Sequence, residues 1–215
     1  MYIFDVDGTI LNTSESIMYH GNKTFKKYGL GILKKDDFEN FLGNGAKYLI
    51  DSCLDKLDFP KDEILREKIL NDYNKSYDDN PYFLTKPYEG ITKALKEIKK
   101  YDKIVAFSNK PDSTLQKVIG RNFGKGFFDF VLGQCNNYKR KPDPEGIYII
   151  KERFNESLTN ILYFGDTEVD FKCAKSANVN FVACSWGFRE KSFLESLKPD
   201  FLIDDPKEIT KIRRI

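Results

Sequence analysis

The sequence predicts an α/β protein: a doubly wound parallel sheet covered by helices, interrupted by an inserted all-helical subdomain. Three observations predict it. Short β-prone apolar runs alternate with helical stretches of about ten residues, the rhythm of a parallel sheet buried on both faces. Residues 14–82 break that rhythm, because they hold helical patterns and no strand candidate. Finally, each of the first four apolar runs leads into a polar cluster, which places those clusters at one edge of the sheet.

The strand candidates are Tyr2–Phe4, Lys103–Phe107, Phe128–Leu132, Ile161–Phe164, Asn180–Cys184 and Phe201–Ile203. Helical spacing runs through 90–101, 112–122, 144–154 and 169–177 between them. Within the insert the helical patterns are Ser14–Tyr28, Asp36–Leu57 and Lys61–Tyr77. The expected division is a core of residues 1–13 and 83–215 and a cap of residues 14–82, joined by linkers at 11–14 and 80–87. Because only Met1 to Phe4 precede Asp5, the first strand is expected to be short or loosely anchored.

Composition excludes several kinds of chemistry. With 35 Lys and Arg against 33 Asp and Glu, a net charge of +2 gives no reason to expect a nucleic-acid or membrane surface. The basic runs Lys99-Lys100 and Lys139-Arg140-Lys141 read by default as solvated. His20 is the single histidine, which excludes a His-rich zinc site and a histidine-based phosphatase. Cys53, Cys135, Cys173 and Cys184 form no C-x-x-C pair, and none has an arginine six positions later, so they read as reduced thiols of a cytoplasmic protein. No P-loop occurs, no apolar run reaches transmembrane length, and Asp5 and Asp7 interrupt the start too early for a signal peptide. Any catalysis falls to carboxylates.

The strand ends supply them. Asp5, Asp7, Gly8 and Thr9 follow the first strand, and Ser108, Asn109 and Lys110 follow the second. Lys141, Pro142 and Asp143 come after the third, and Gly165, Asp166, Thr167 and Asp170 after the fourth. Ligands of a doubly wound sheet bind beyond the carboxyl ends of its strands. Each cluster alone has an ordinary reading as a turn or a helix cap. Four in register at four strand ends do not. Asp5, Asp7 and Asp166, with Asp170 one helical turn on, form a hard oxygen site suited to Mg²⁺, which would also offset the repulsion between neighbouring carboxylates. A lysine and a serine hydroxyl at the same edge suit a phosphoryl group, which one aspartate attacks while its neighbour moves a proton.

DVDGT at 5–9, FSN at 107–109, KPDP at 141–144 and GDTEVD at 165–170 together closely resemble the four motifs of the haloacid dehalogenase superfamily of phosphatases. The resemblance covers essentially the whole chain and implies a Rossmann-like core with a helical cap. It implies Asp5 as the nucleophile that becomes an aspartyl-phosphate, Asp7 as general acid and base, and Lys141 as a catalytic charge clamp. It also implies Mg²⁺ on Asp5, the Asp7 backbone carbonyl and Asp166, supported by Asp170. Gly8, Thr9, Ser108, Asn109 and Lys141 would contact substrate. FLGNGAKYLI at 41–50 looks like the cap loop of the phosphoglycolate phosphatase-like branch, so Asn44 and Gly45 join the expected substrate contacts; SWGFR at 185–189 resembles that branch's tail segment.

The implied function is hydrolysis of a small phosphorylated metabolite by a cytoplasmic monomer or homodimer. Phosphoglycolate, pyrophosphate, sugar phosphates and nucleotide monophosphates all fit. A β-phosphoglucomutase-like phosphotransferase is the nearer alternative, although no arginine stands near Gly45 in the sequence. A phospho-receiver signalling domain is the non-enzymatic one, although the third strand leads into Gly133-Gln134-Cys135 without an aspartate.

Overall fold

A computed structural model describes residues 1–212, and residues 213–215 lie outside the described residues. Six parallel strands form the central sheet in the order β5-β4-β1-β6-β7-β8. They are β1 (Tyr2–Phe4), β4 (Ile104–Pro111), β5 (Phe130–Gln134), β6 (Leu162–Gly165), β7 (Asn180–Cys184) and β8 (Phe201–Ile203). From β1 the chain winds outward to β5 and then returns to β6 on the other side of β1. The order therefore reverses at β1, and the crevice beyond its carboxyl end is where such a sheet binds ligands. The doubly wound α/β reading holds.

The first strand is short, as expected, yet it is anchored on both sides rather than loose. It pairs with β4 on one side and β6 on the other, and Tyr2, Ile3 and Phe4 are at most 1% exposed. Three residues suffice because both ladders are satisfied and both faces are covered. Phe4 and Tyr2 stack on Phe164, with ring centroids 4.7 and 5.9 Å apart. That face packs under α5 (Ile91–Ile98) and α6 (Asp112–Asn122) through Leu95, Ile98, Leu115 and Val118. Ile3, Val105 and Tyr163 line the opposite face with Ile147 and Ile150 of α7 (Glu145–Phe154) and Cys173 and Ala174 of α8 (Glu168–Ser176).

The third core strand begins two residues later than expected. Phe127 and Phe128 close instead on Phe123 as a cluster of three rings with centroid separations of 5.3 to 5.4 Å, and pairing starts only at Phe130. A short helix, α9 (Lys191–Ser196), lies between β7 and β8, where none was expected.

Residues 14–79 form α1 (Ser14–Lys27), α2 (Lys35–Phe41), α3 (Ala46–Lys56) and α4 (Glu63–Asp79) around a separate apolar cluster that includes Phe25, Phe38, Leu49, Ile50, Ile69 and Tyr73. The helical pattern expected over 36–57 is two helices. Gly43 at φ +110° and Gly45 at φ +83° occupy backbone that side-chain-bearing residues avoid, and they break the pattern into α2 and α3. The two chain crossings to the core pair as a small antiparallel ribbon, β2 (Leu11–Asn12) with β3 (Lys86–Pro87). All four cysteines are free, and no described helix is long and apolar enough to cross a membrane.

Phe164→Ala is expected to cost roughly 3–5 kcal/mol, because it removes the ring on which both aromatic residues of β1 stack. Denaturant unfolding of the variant against the parent protein measures this.

Candidate active site

The carboxyl ends of β1, β4 and β6 bring Asp5, Ser108 and Asp166 to the same edge. The backbone explains how: β1 stops at Phe4, β6 at Gly165, and β4 runs on to Pro111 and carries Ser108, Asn109 and Lys110 past its neighbours.

Lys141 lies at the centre. It is 2% exposed, and its Nζ donates to Asp5 Oδ1 and to Asp170 Oδ1, each at 2.7 Å. The solvated reading of the 139–141 run therefore fails at this residue, whereas Lys139 and Arg140 are exposed. Lys141 reaches the interior because its backbone is held by Asn109, whose amide accepts from the Lys141 N–H and donates to the Lys141 carbonyl. The Lys141–Pro142 peptide is cis.

Asp170 is anchored from four directions. Beside Lys141, the Tyr163 hydroxyl donates to it at 2.9 Å, the Thr167 hydroxyl at 2.6 Å and the Thr167 N–H at 3.2 Å. Thr167 and Asp170 thus form the capping box that starts α8. Asp166 accepts from the Thr9 hydroxyl at 2.7 Å and the Phe188 N–H at 2.8 Å. Oxygens of Asp5, Asp166 and Asp170 all lie within 4.8 Å of one another, and all three residues are buried.

Burial first, and the Asp170 charge second, lift both the Asp5 and the Asp166 carboxyls well above the usual carboxylate range. Burial also works against the Lys141 charge, but Asp170 and Asp5 outweigh it and keep the amine protonated. The Asp5–Lys141 partners thus move in the same direction. One ammonium cannot neutralise three ionised carboxylates; the two negative charges left over are what one divalent cation would balance. The donors are all hard oxygens, so the residues present fit Mg²⁺.

Asp7 faces elsewhere. Its side chain accepts from the Ser108 hydroxyl at 3.3 Å and pairs with Lys110 Nζ at 3.2 Å, outside the carboxylate cluster. Gly8 and Thr9 support the site from behind and do not line the cavity in front of it. A Cβ on Gly8 would fall 2.2 Å from Asp166 Oδ2, and the Thr9 hydroxyl is spent on Asp166.

In front of Asp5 and Asp7 lies a cavity of about 190 Å³ between the core and the helical insert. The core wall is Ser108, Asn109, Lys110 and Lys141; the opposite wall is Ile17, Gly43, Gly45, Leu49, Tyr73 and Tyr77. Asn109 joins the two walls, since its amide also donates to the Gly43 carbonyl at 2.9 Å. Asn44 is not on the lining; its carbonyl accepts from Arg140 at 3.3 Å. Arg140 is thus an arginine beside Gly45 in space that the local sequence does not announce, its guanidinium 3.0 Å from where a Gly45 Cβ would stand.

Two side chains at the site belong to none of the four motifs. Lys110 and Tyr77 meet inside the cavity, with Nζ 3.0 Å from the Tyr77 hydroxyl and 4.4 Å from the ring centroid. Lys110 follows the Ser-Asn pair directly, and that position was its only signal. The tail at 185–189 closes the far side: Trp186 donates to the Thr9 carbonyl, and Arg189 binds Glu168 while donating to the Glu39 and Leu42 carbonyls at the end of α2.

Residues 2–184 match the model of the haloacid dehalogenase-like hydrolase family. The chain belongs to that family. It is 29% identical to a phosphoglycolate phosphatase of Aquifex aeolicus, over 98% of this chain and 94% of the relative. It is 26% identical to a pyrophosphatase of Bacillus cereus, again over 98% and 94%. The solved structure of a haloacid dehalogenase-like family hydrolase from Streptococcus pneumoniae shares the fold at a TM-score of 0.86 and 20% identity, covering 98% of this chain and 96% of that one. This family member is a phosphatase-type hydrolase similar to phosphoglycolate phosphatases and pyrophosphatases, and the receiver-domain alternative falls away.

Gly187→Ala tests the packing behind Asp166, because the added Cβ would stand 2.3 Å from Asp166 Cβ and 2.4 Å from Oδ2. The Mg²⁺ concentration giving half-maximal activity is expected to rise about 10–100-fold. Gly120→Ala, with nothing within 4 Å of its added methyl, serves as the control and should leave that value unchanged.

Proposed function

We propose that this hydrolase is a Mg²⁺-dependent phosphomonoesterase that works through an aspartyl-phosphate on Asp5 and acts on a small phosphorylated metabolite of the phosphoglycolate kind. One observation carries the reading: Asp5, fixed by Lys141, and Asp7, free of the carboxylate cluster, stand side by side on the floor of one small cavity.

In this reading an Asp5 oxygen attacks phosphorus and the bond to the leaving-group oxygen breaks. Asp7 gives its proton to that oxygen, so the product leaves as an alcohol. Asp7, now a carboxylate, takes a proton from water; the water oxygen attacks phosphorus, the Asp5–phosphorus bond breaks and inorganic phosphate is released. Lys141 holds the Asp5 side chain in one position and sets a fixed positive charge beside the transferring oxygens. Ser108, already bonded to Asp7, is placed to donate to a phosphoryl oxygen.

Asp5 and Asp166, with the Asp7 backbone carbonyl, would hold Mg²⁺, and Asp170 supports them by anchoring Lys141. The cation supplies charge neutralisation for the phosphoryl oxygens. Sequestration falls to the insert, whose wall places Ile17, Leu42, Ala46 and Leu49 over the cavity and so keeps bulk water from the phosphorylated aspartate.

Relatives named for phosphoglycolate and for pyrophosphate stand at similar distances.

Asp5→Asn is expected to abolish turnover of para-nitrophenyl phosphate while circular dichroism stays unchanged; more than a few per cent of parental kcat without deamidation would remove Asp5 as nucleophile. Chelation by EDTA should silence the parent enzyme and lower its Tm, with Mg²⁺ restoring both. Activity and Tm indifferent to chelation would refute the metal site.

A further inference from the structure

Two lysines line the cavity, and their charges are committed very differently. Lys141 is neutralised by two buried carboxylates at 2.7 Å each. Lys110 has one carboxylate, Asp7 at 3.2 Å, and one neutral acceptor, the Tyr77 hydroxyl. An ammonium has three N–H groups, and among the described residues only the Tyr77 hydroxyl accepts a hydrogen bond from the Lys110 side chain, Asp7 Oδ1 standing beside it as an ion pair without hydrogen-bond geometry. Its side chain is 8% exposed, so the remaining donors point into protein or cavity rather than bulk water. The other acid on the lining, Asp78, is exposed at the rim, with its carboxylate taken by the Thr114 hydroxyl.

We propose that Lys110 is the specificity-determining cation of the cavity, receiving a second anionic group carried by the leaving group of the substrate. The inference rests on the phosphomonoesterase reading and adds the chemistry of the substrate's tail. Asp7 serves the ester oxygen in that reading, and Lys110 lies 3.2 Å beyond Asp7. An anion bound to Lys110 at about 2.8 Å is therefore only a few bonds from that oxygen. Short tails fit: a carboxylate one carbon away, or a second phosphoryl group directly attached. Ile17 and Leu49 cannot solvate an anion, and Lys110 is the lysine of the lining that is not already held between two carboxylates, so the charge of such a tail falls to Lys110. A neutral tail offers the ammonium nothing.

The bland alternative is that Lys110 only ties β4 to Tyr77 of α4. A structural tie would affect every ester alike, whereas an anion receptor changes the ratio between charged and neutral tails. The experiment measures kcat and KM with phosphoglycolate, inorganic pyrophosphate and ethyl phosphate for the parent enzyme, Lys110→Met and Lys110→Arg, with Mg²⁺ present. The parent is expected to favour one of the two anionic-tailed substrates over ethyl phosphate by about 100-fold in kcat/KM. Which of the two it favours identifies the tail as carboxylate or phosphoryl.

Lys110→Met should bring that ratio to within about threefold of unity, mainly through KM, and Lys110→Arg should keep most of it. A ratio unchanged in Lys110→Met, or near unity in the parent, overturns the inference while leaving the phosphatase intact. If the parent hydrolyses no ester, including para-nitrophenyl phosphate, the phosphomonoesterase reading fails instead. Calorimetric binding of phosphoglycolate against ethyl phosphate to the parent and Lys110→Met then decides the Lys110 role by the same ratio. Should Lys110→Met not fold, Lys110→Gln takes its place.

Discussion

Everything at the active edge depends on one ammonium group with no solvent around it. Lys141 sits between Asp5 and Asp170, and neither carboxylate could be kept at that depth without it. A buried ion pair seldom adds net stability, because desolvation of both partners offsets their attraction. What it provides here is position. Asp5 is held in one orientation, and Asp170, pinned by Tyr163 and Thr167, fixes the lysine that fixes Asp5. Asp5 is therefore located by a relay running back into β6 and α8.

That relay was partly legible in the sequence. The alternation of strands and helices, the gap at 14–82 and the register of polar clusters at four strand ends all follow from local patterning, and the sheet order then brings the clusters together. Asp5, Asp7 and Asp166 are readable because each sits just past a strand end, Asp170 because it follows Asp166 by one helical turn, and Lys141 because it lies in the loop between β5 and α7. Lys110 was visible but unassigned, since nothing local distinguishes a lysine facing a cavity from one facing water. Tyr77 and Tyr163 carry no motif at all; their roles come from which helix crosses which strand. Arg140 meets the Gly45 loop only because the insert folds back over the core.

The expected substrate contacts divide in an instructive way. Gly8 and Thr9 belong to the wall behind the carboxylates, where lack of a side chain and a single hydroxyl let Asp166 stand close. Asn109 spends its whole amide on the backbone of Lys141 and Gly43. A motif residue can thus be necessary without touching a ligand, by setting the distance between groups that do. Sequence spacing cannot separate these two kinds of necessity, because both demand the same residue at the same place.

The walls of the cavity come from two folding units with separate apolar cores, and this division has an evolutionary reading. Substitutions on α1, α3 or α4 reshape the recognition wall without disturbing the packing of the sheet beneath the nucleophile. The constraint on the catalytic wall is stringent, since each of its groups is held by several others. The facing wall is held by its own interior, by side-chain ties from Lys110 to Tyr77 and from Thr114 to Asp78, and by bonds to backbone carbonyls, from Asn109 to Gly43 and from Arg189 to Glu39 and Leu42. Tethers that grip backbone are indifferent to which side chains occupy the tethered loop. Drift in the insert can therefore reshape one side of the cavity while the carboxylate cluster and Lys141 on the other side stay as they are.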